Sequence, residues 1–307
     1  MNDVMIIANP SSGRKNAEEY AEKVKKALMN ENRESVIKLT EKKEDISAFA
    51  KQASSEAYSS IIVIGGDGTV SELADGLYDQ KYRPTIGIIP AGTVNNISRG
   101  LDIPNDPVQV VNELTDYIEK KADAGKVNDR IFLQFVSAGP VPETVWEVSA
   151  EQKEKYGQAA YFMEGMKSLG DEETYKMDLQ VDEEHLDVDL NLILIGVNGS
   201  IAGIPNFFDD ARIDDGKLYL FGLKRSSIGQ KLTVLREMIF NERPLNKTKD
   251  IAFTLSFKKA VISVEKKEAY AAVDGEKGPA FPIILEVLPQ YFTFLVPAED
   301  QSSGQSI

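Results

Sequence analysis

The sequence predicts two domains in series, an α/β domain with a mostly parallel sheet followed by a mainly antiparallel β-sandwich domain. Three observations predict it. Short apolar runs alternate with helical stretches over the first 125 residues or so, and segments with period-two alternation dominate beyond about Val127. A length of 307 residues also exceeds what one compact core ordinarily holds. The expected boundaries are 1–125 for the first domain, 126–298 for the second and 299–307 for a disordered tail. The last strand is a candidate to return to the first domain.

From the amino end, residues 4–8 are an apolar run closed by Asn9-Pro10-Ser11-Ser12-Gly13, a strand and its loop. Residues 15–30 carry Tyr20, Val24 and Leu28 on one helical stripe. A second strand is expected over 36–39 and a second helix over 41–57. The run Ile61-Ile62-Val63-Ile64 has the pattern of a strand buried on both faces. A helix over 70–78, a strand over 85–89 and a helix over 108–121 complete the domain. The later strands are expected over 131–136, 176–181, 188–197, 217–223, 252–257, 260–265, 269–273, 283–288 and 292–296, with helices over 157–169 and 227–240.

Composition excludes more than it selects. A net charge of −14 gives an average field that repels nucleic acid, so no nucleic-acid partner is expected. The absence of cysteine removes disulfides, thiolate nucleophiles and cysteine zinc sites. The first residues lack a basic segment, and the longest apolar stretches fall well short of the roughly 20 residues a membrane helix needs. A cytoplasmic protein is expected, peripheral and transient at a membrane if its substrate is a lipid.

The segment Gly65-Gly66-Asp67-Gly68-Thr69-Val70-Ser71 lies where a strand passes into a helix. Glycines let backbone N–H groups approach a ligand, and a helix amino end offers unpaired donors to phosphate. Asp67 would orient a nucleotide or hold magnesium between phosphates. A ligand-free alternative stands beside this, because Thr69-x-x-Glu72 also fits an N-cap and its capping-box partner.

Taken together, the motifs carry a resemblance. Asn9-Pro10-Ser11-Ser12-Gly13, the GGDGT loop, Pro90-Ala91-Gly92-Thr93-Val94-Asn95-Asn96-Ile97-Ser98-Arg99, Asp123-Ala124-Gly125-Lys126-Val127-Asn128, Asp215-Gly216 and Asp274-Gly275-Glu276 follow one another in order. The chain resembles the diacylglycerol kinase catalytic domain family, soluble bacterial lipid kinases related to sphingosine kinases and NAD kinases. The resemblance spans nearly the whole chain. It implies an NAD kinase/diacylglycerol kinase-like fold, ATP and Mg2+ as cofactors, and transfer of the γ-phosphate to a lipid hydroxyl such as that of diacylglycerol. It places ATP on Asn9, Pro10, Ser11, Ser12, Gly13, Thr40, Gly65, Gly66, Asp67, Gly68, Thr69, Val70, Ser71 and Thr93, with helix N-cap as an alternative for Thr40. Asn95 and Asn96 are candidates for turn or cap positions.

A lipid hydroxyl is a poor nucleophile at neutral pH, so a carboxylate must take its proton. The resemblance implies Glu276 or Asp274, with Glu276 favoured, although Asp274-Gly275 is also a favoured hairpin turn. It implies a structural magnesium on Asp215 and the main-chain carbonyls of Arg212 and Lys217, and a charge network of Lys15, Arg99 and Asp123. His185 is read as solvated. Trp146 is read as packing or a lipid-facing edge.

Three departures bear on activity. Asn96 stands where the family has aspartate, Ser71 where asparagine is common, and residues 137–143 lack the usual glycine-rich segment. They keep open a nucleotide-binding regulator that has lost catalysis, and behind it a soluble-acceptor NAD kinase. The many strands leave edges that a homodimer would cover.

Overall fold

The computed structural model describes residues 3–10, 16–93, 95–139, 174–201, 207–208, 211–239, 250–265 and 268–298. Two compact units emerge, Met1–Ala122 with Phe292–Ile307, and Asp123–Tyr291.

The first unit alternates β1 (Val4–Ala8), α1 (Ala17–Asn30), β2 (Ser35–Leu39), α2 (Glu44–Ser55), β3 (Ser60–Gly65), α3 (Asp67–Leu77) and β4 (Thr85–Pro90). Two short helices follow, α4 (Asn96–Gly100) and α5 (Pro107–Glu113). The four strands are parallel in the order β2-β1-β3-β4, and the carboxyl end of β15 (Ile283–Val296) adds to β4 through Phe294 opposite Ile86. Every residue of β1 and β3 is buried, as their unbroken apolar runs require of strands covered on both faces. Each valine, isoleucine or methionine among them contributes about 1.5–3 kcal/mol by leaving water.

The helical stripe read in the sequence is the buried face of α1, with Tyr20, Val24 and Leu28 turned inward. Helix α3 packs on α2 so closely that a Cβ on Gly76 would lie 2.7 Å from the Ser47 carbonyl oxygen and 2.8 Å from the Ala50 Cβ. That contact explains a glycine in the last turn of α3.

The expected helix over 108–121 is corrected. Helix α5 ends at Glu113, a single 3-10 turn covers Leu114–Asp116, and strand β5 (Ile118–Val127) follows. Its first half is polar and exposed, but Ala122 to Gly125 are buried, so tertiary burial rather than local pattern makes it a strand.

The second unit is antiparallel and β-rich. Its strands are β6 (Arg130–Phe132), β7 (Phe135–Ala138), β8 (Tyr175–Val181), β9 (Glu184–Gly196), β10 (Leu218–Lys224), β11 (Ala252–Phe257), β12 (Lys259–Val264), β13 (Tyr270–Val273) and β14 (Glu276–Ala280), with helix α6 (Ile228–Ile239). The main order is β14-β13-β7-β9-β8-β12-β15, and β10 joins β9 to β11. Two buried clusters fill it, one centred on Phe132, Ile195, Phe257 and Leu285, the other on Phe207, Phe208 and Phe221.

Two strand expectations change. Residues 131–136 form two strands interrupted at Leu133 and Gln134, and residues 283–296 form one strand rather than two. The expected helix over 157–169 lies outside the described residues.

The Asp123-x-Gly125-x-x-Asn128 link has a structural reason for each of its fixed residues. A Cβ on Gly125 would lie 2.1 Å from the Phe132 ring on the paired strand. Asn128, at φ 50°, donates its amide to the Ile284 carbonyl at 2.9 Å and accepts the Ile284 amide on Oδ1 at 2.8 Å.

Replacing a glycine within a helix by alanine normally stabilises, by up to about 1 kcal/mol in its interior. At Gly76 the methyl group has no room, so Gly76→Ala is expected to destabilise by about 1–3 kcal/mol in a denaturant titration. Stabilisation would refute the close α2–α3 contact.

Candidate active site

Register builds the first half of the site. Val4 aligns with Ser35 and Ser60, and Ser60 with Thr85, so Ala8 is level with Leu39, Ile64 and Ile89, and β3 and β4 end one residue further on at Gly65 and Pro90. The ladder then continues one step into the loops. Thr40 donates its amide to the Ala8 carbonyl at 3.0 Å, Asn9 to Ile64 at 3.2 Å, and Ala91 to Gly65 at 2.9 Å. Four segments far apart in sequence thus meet at the carboxyl edge of a parallel sheet, where open α/β sheets bind ligands.

Of the expected nucleotide residues, Asn9, Pro10, Thr40, the Gly65-to-Ser71 segment and Thr93 stand at this edge or in the first turns of α3. Ser11, Ser12, Gly13 and Lys15 lie outside the described residues. Thr40 is buried, and α2 begins only at Glu44, so it is not that helix's N-cap. The Asp45 carboxylate serves the loop instead, accepting the amides of Glu41 at 2.8 Å and Lys42 at 3.0 Å.

The capping-box alternative fails for a similar reason. Helix α3 starts at Asp67 with Gly66 as its N-cap, which puts Thr69 inside the first turn. The Thr69 side chain packs over Gly65, where a Cβ would come within 2.4 Å of it. Glu72 pairs with Lys43 at 3.8 Å. Val70 is buried in the core. Gly68 is exposed with nothing within 4 Å of a Cβ position, so the turn is open where a ligand would approach the helix end.

Asp67 also has a structural task. Its carboxylate accepts the amides of Asn96 at 3.0 Å and Ile97 at 2.9 Å, tying the glycine loop to the start of α4. Burial pushes its carboxyl up, opposed by the amides of Ile97, Asn96 and Asn95 and by the Arg99 guanidinium. A second tie is steric. A Cβ on Gly92 would lie 2.5 Å from the Gly66 Cα, so both loops need glycine where they cross. Asn95 is no ordinary cap. It is left-handed at φ 55° and makes no side-chain bond to its helix, its amide group turning back to Gly92. Asn96 is buried as the first residue of α4.

In the second unit, Asp274 and Gly275 have φ of 48° and 84° between Val273 and Glu276, which are paired. This is a two-residue hairpin of the type Asp-Gly favours. The Asp274 carboxylate accepts the amides of Leu133, Gln134 and Phe135 at 3.0–3.1 Å, holding the bend between β6 and β7. Glu276 is exposed and faces Arg130 at 3.7 Å. Arg130 also reaches the Lys277 carbonyl at 3.2 Å.

The Asp215 carboxylate accepts the Lys217 amide on Oδ1 at 3.1 Å, and the Arg212 amide at 3.0 Å and Tyr219 hydroxyl on Oδ2. Oδ1 therefore keeps a lone pair. Asp214 takes Arg212 Nε at 3.2 Å. Buried Asp123 accepts the amides of Gly216 at 2.6 Å and Gln290 at 2.7 Å. Its carboxyl is pushed up first by burial, with the charges of Asp215 and Asp214 adding to the rise. The remaining lone pair of Asp215 suits a hard cation such as magnesium, and Asp123 and Asp214 lie close enough to feel its charge. The structure gives Asp123 backbone partners, and Lys15, expected beside it in a charge network with Arg99, lies outside the described residues.

Arg130 and Tyr219 were invisible as partners in the sequence. Tyr219 follows Asp215 by four residues, but only the turn before β10 brings the hydroxyl back. His185 is exposed, as read, yet bonds Asp178 at 2.7 Å across the β8–β9 pair. Trp146 lies outside the described residues.

The carboxylates differ in sign. Asp45 is held below its ordinary 3.8 by the Glu41 and Lys42 amides, so its contribution to stability is present above that value and lost as pH falls through the folded pKa. Asp67 is raised above 3.8, so its contribution is present below that value and lost as pH rises through the folded pKa. A carbon-detected NMR titration is expected to place the Asp67 midpoint above that of Asp45. The reverse order would contradict the burial and bonding described.

Comparison with known proteins agrees with this arrangement. The model of the diacylglycerol kinase catalytic domain family matches residues 3–127. A Streptococcus pneumoniae protein provisionally named a lipid kinase is 32% identical over 305 residues, covering 98% of this chain and 100% of the relative. A Staphylococcus carnosus protein named diacylglycerol kinase is 32% identical over 225 residues, with 73% of this chain and 74% of that protein covered. A Bacillus anthracis crystal structure, provisionally assigned as a diacylglycerol kinase, superposes with a TM-score of 0.83 at 28% identity, covering 96% of this chain and 95% of that one. With similarity over 98% of its length to one relative and over 73% to a diacylglycerol kinase, each at 32% identity, this protein belongs to the diacylglycerol kinase family.

Proposed function

We propose that this chain is an ATP-dependent lipid kinase that transfers the γ-phosphoryl group of ATP to a lipid hydroxyl such as that of diacylglycerol. The observation that carries the reading is the meeting of the Asn9, Thr40, Gly65-to-Thr69 and Thr93 segments at one sheet edge, with the open amino end of α3 among them. Phosphoryl transfer asks a protein mainly for positioning and charge stabilisation, which fixed amides at a helix terminus supply. Among the described residues, no helix is long and apolar enough to cross a membrane, so lipid would be met at a membrane surface.

In the proposed reaction a lone pair on the acceptor oxygen forms the new O–P bond. The bond from the γ-phosphorus to the β–γ bridging oxygen breaks, and ADP leaves with that electron pair. Glu276 takes the hydroxyl proton. Its exposure suits this task, whereas Asp274 already holds three backbone amides. Magnesium on Asp215 would supply positive charge to the Asp123–Asp214–Asp215 loop and hold its shape.

Incubation with labelled ATP, magnesium and a lipid panel is expected to yield labelled phospholipid. ATP binding without transfer would favour a regulator. Phosphorylation of NAD would favour a soluble acceptor. The two acids separate cleanly. Glu276→Gln is expected to lower turnover about 10²–10⁴-fold at an unchanged melting temperature. Asp274→Ala is expected to cost about 3 kcal/mol of stability, because buried amides lose a charged partner. Full activity in Glu276→Gln would remove it as the base. Magnesium alone is expected to raise the melting temperature of the wild type but not of Asp215→Asn; an equal rise in both would place the ion elsewhere.

A further inference from the structure

We infer that Asn105, which lies outside every motif named above, is a positioning residue that sets the shape of the proposed nucleotide loop by holding the Asn95 side chain. The inference rests on the ATP reading for its functional consequence, though not for its geometry.

The geometry is a relay of fixed groups. Asn95 is 2% exposed and sits at φ 55°, ψ 46°, a left-handed conformation that asparagine adopts more readily than most L-residues. Its side-chain amide holds the turn together. Oδ1 accepts the Gly92 amide at 3.0 Å, and Nδ2 donates one hydrogen to the Gly92 carbonyl at 2.9 Å. Both main-chain groups of Gly92 are therefore held by one side chain. The second hydrogen of Nδ2 goes to Asn105 Oδ1 at 2.6 Å. This bond fixes which way the carboxamide faces: turned over, Asn95 would present oxygen to the Gly92 carbonyl and to Asn105, and nitrogen to the Gly92 amide.

Asn105 is itself well placed to act as the fixed end. On one side, Ile103 is buried and donates its amide to the Ser98 carbonyl at 2.9 Å. On the other, Asp106 caps α5 through the Val108 amide at 3.0 Å, and Pro107 opens the helix. The loop between them has little freedom, so the Asn105 oxygen arrives pre-positioned.

The effect travels only a short way. Gly92 is pressed against Gly66, the N-cap of α3, and Thr93 beside it is exposed at the site. The far end of the same segment is held by Asp67 through Asn96 and Ile97. Residues 92–97 are thus tied at both ends to the glycine loop. Asn105 controls the near end, where the expected phosphate-facing residues lie.

The test compares Asn105→Leu, which covers Nδ2 without an acceptor, with Asn105→Asp, which keeps the acceptor in the same place. Hydrogen exchange at the Gly92 and Gly66 amides reads the loop without any ligand. Calorimetric titration with magnesium-ATP at moderate salt reads its consequence, and kinetics with the lipid acceptor separate KM from kcat. Exchange at both amides is expected to quicken in Asn105→Leu, with ATP binding weakened about tenfold, which is the range for a buried donor left unsatisfied. The KM for ATP should rise while kcat changes little, because a loop that binds nucleotide equally in ground and transition states affects binding. Asn105→Asp should stay within about twofold of the wild type by the same reasoning. Unchanged exchange in Asn105→Leu, or an equal loss in Asn105→Asp, would overturn the inference. Wild-type protein that binds no ATP would instead sink the functional reading, and the exchange comparison would still decide whether Asn105 holds the loop.

Discussion

Four parallel strands that end within one residue of one another are the constraint on which the site depends. Because β2, β1, β3 and β4 pair without slippage, the residues just beyond them arrive side by side, whatever their distance in sequence. A slip of one residue would exchange the faces of a strand and set its loop out of step with its neighbours. The buried apolar runs of β1 and β3 prevent this by matching helices on both faces. Hydrophobic burial thus does the positioning that a phosphate site needs, and the loops can be spent on donors and glycine.

The carboxylates show how that positioning is made rigid. Asp67, Asp123, Asp182 and Asp274 each accept two or more backbone amides from a segment remote in sequence. Hydrogen bonds to a charged acceptor are worth about 1.5–3 kcal/mol, against about 1 for a neutral pair. The benefit survives only if the carboxylate's lost hydration is replaced in full, and burial raising the carboxyls of Asp67 and Asp123 is the visible residue of that cost. An aspartate committed in this way has few lone pairs left for chemistry. Glu276, by contrast, is exposed and faces Arg130. The two acids of the Asp274-Gly275-Glu276 hairpin therefore differ in burial, one serving as a tie and the other standing open to solvent.

Much of this was legible in the sequence, and the limits have physical causes. Strand β3, the stripe of α1 and the Asp-Gly hairpin are local patterns, set by side-chain period and turn chemistry. The start of α3 was misplaced because Thr69-x-x-Glu72 satisfies the capping rule on paper, while Gly66 can begin the helix earlier without a side-chain cap. Strand β5 was missed because its opening Ile118-Glu119-Lys120-Lys121 has no strand pattern, and burial of the four residues that follow decides the matter. The aspartate ties were out of reach for a different reason. Asp274 finds its donors 139–141 residues away, and Asp123 finds Gln290 at 167. No local rule connects positions at such separations.

The charge balance explains why so much of the proposed nucleotide site is backbone. A chain with net charge −14 has little general attraction for a polyphosphate. Lysines added to draw it in would also change the acidic balance of the whole surface. Amides at a helix amino end avoid that conflict, since they offer partial positive charge without changing the net charge. They act only at short range, and so require a close approach that any Cβ would obstruct. Gly66 and Gly92 permit the two loops to cross, and Gly68 leaves the helix end open. Asp67 would seem to oppose an anion at the same place, but its charge is bound to the amides of Asn96 and Ile97 and lies within the field of Arg99. A carboxylate answered in this way costs the site little repulsion, while the tie it makes holds the glycines where a phosphate would meet them.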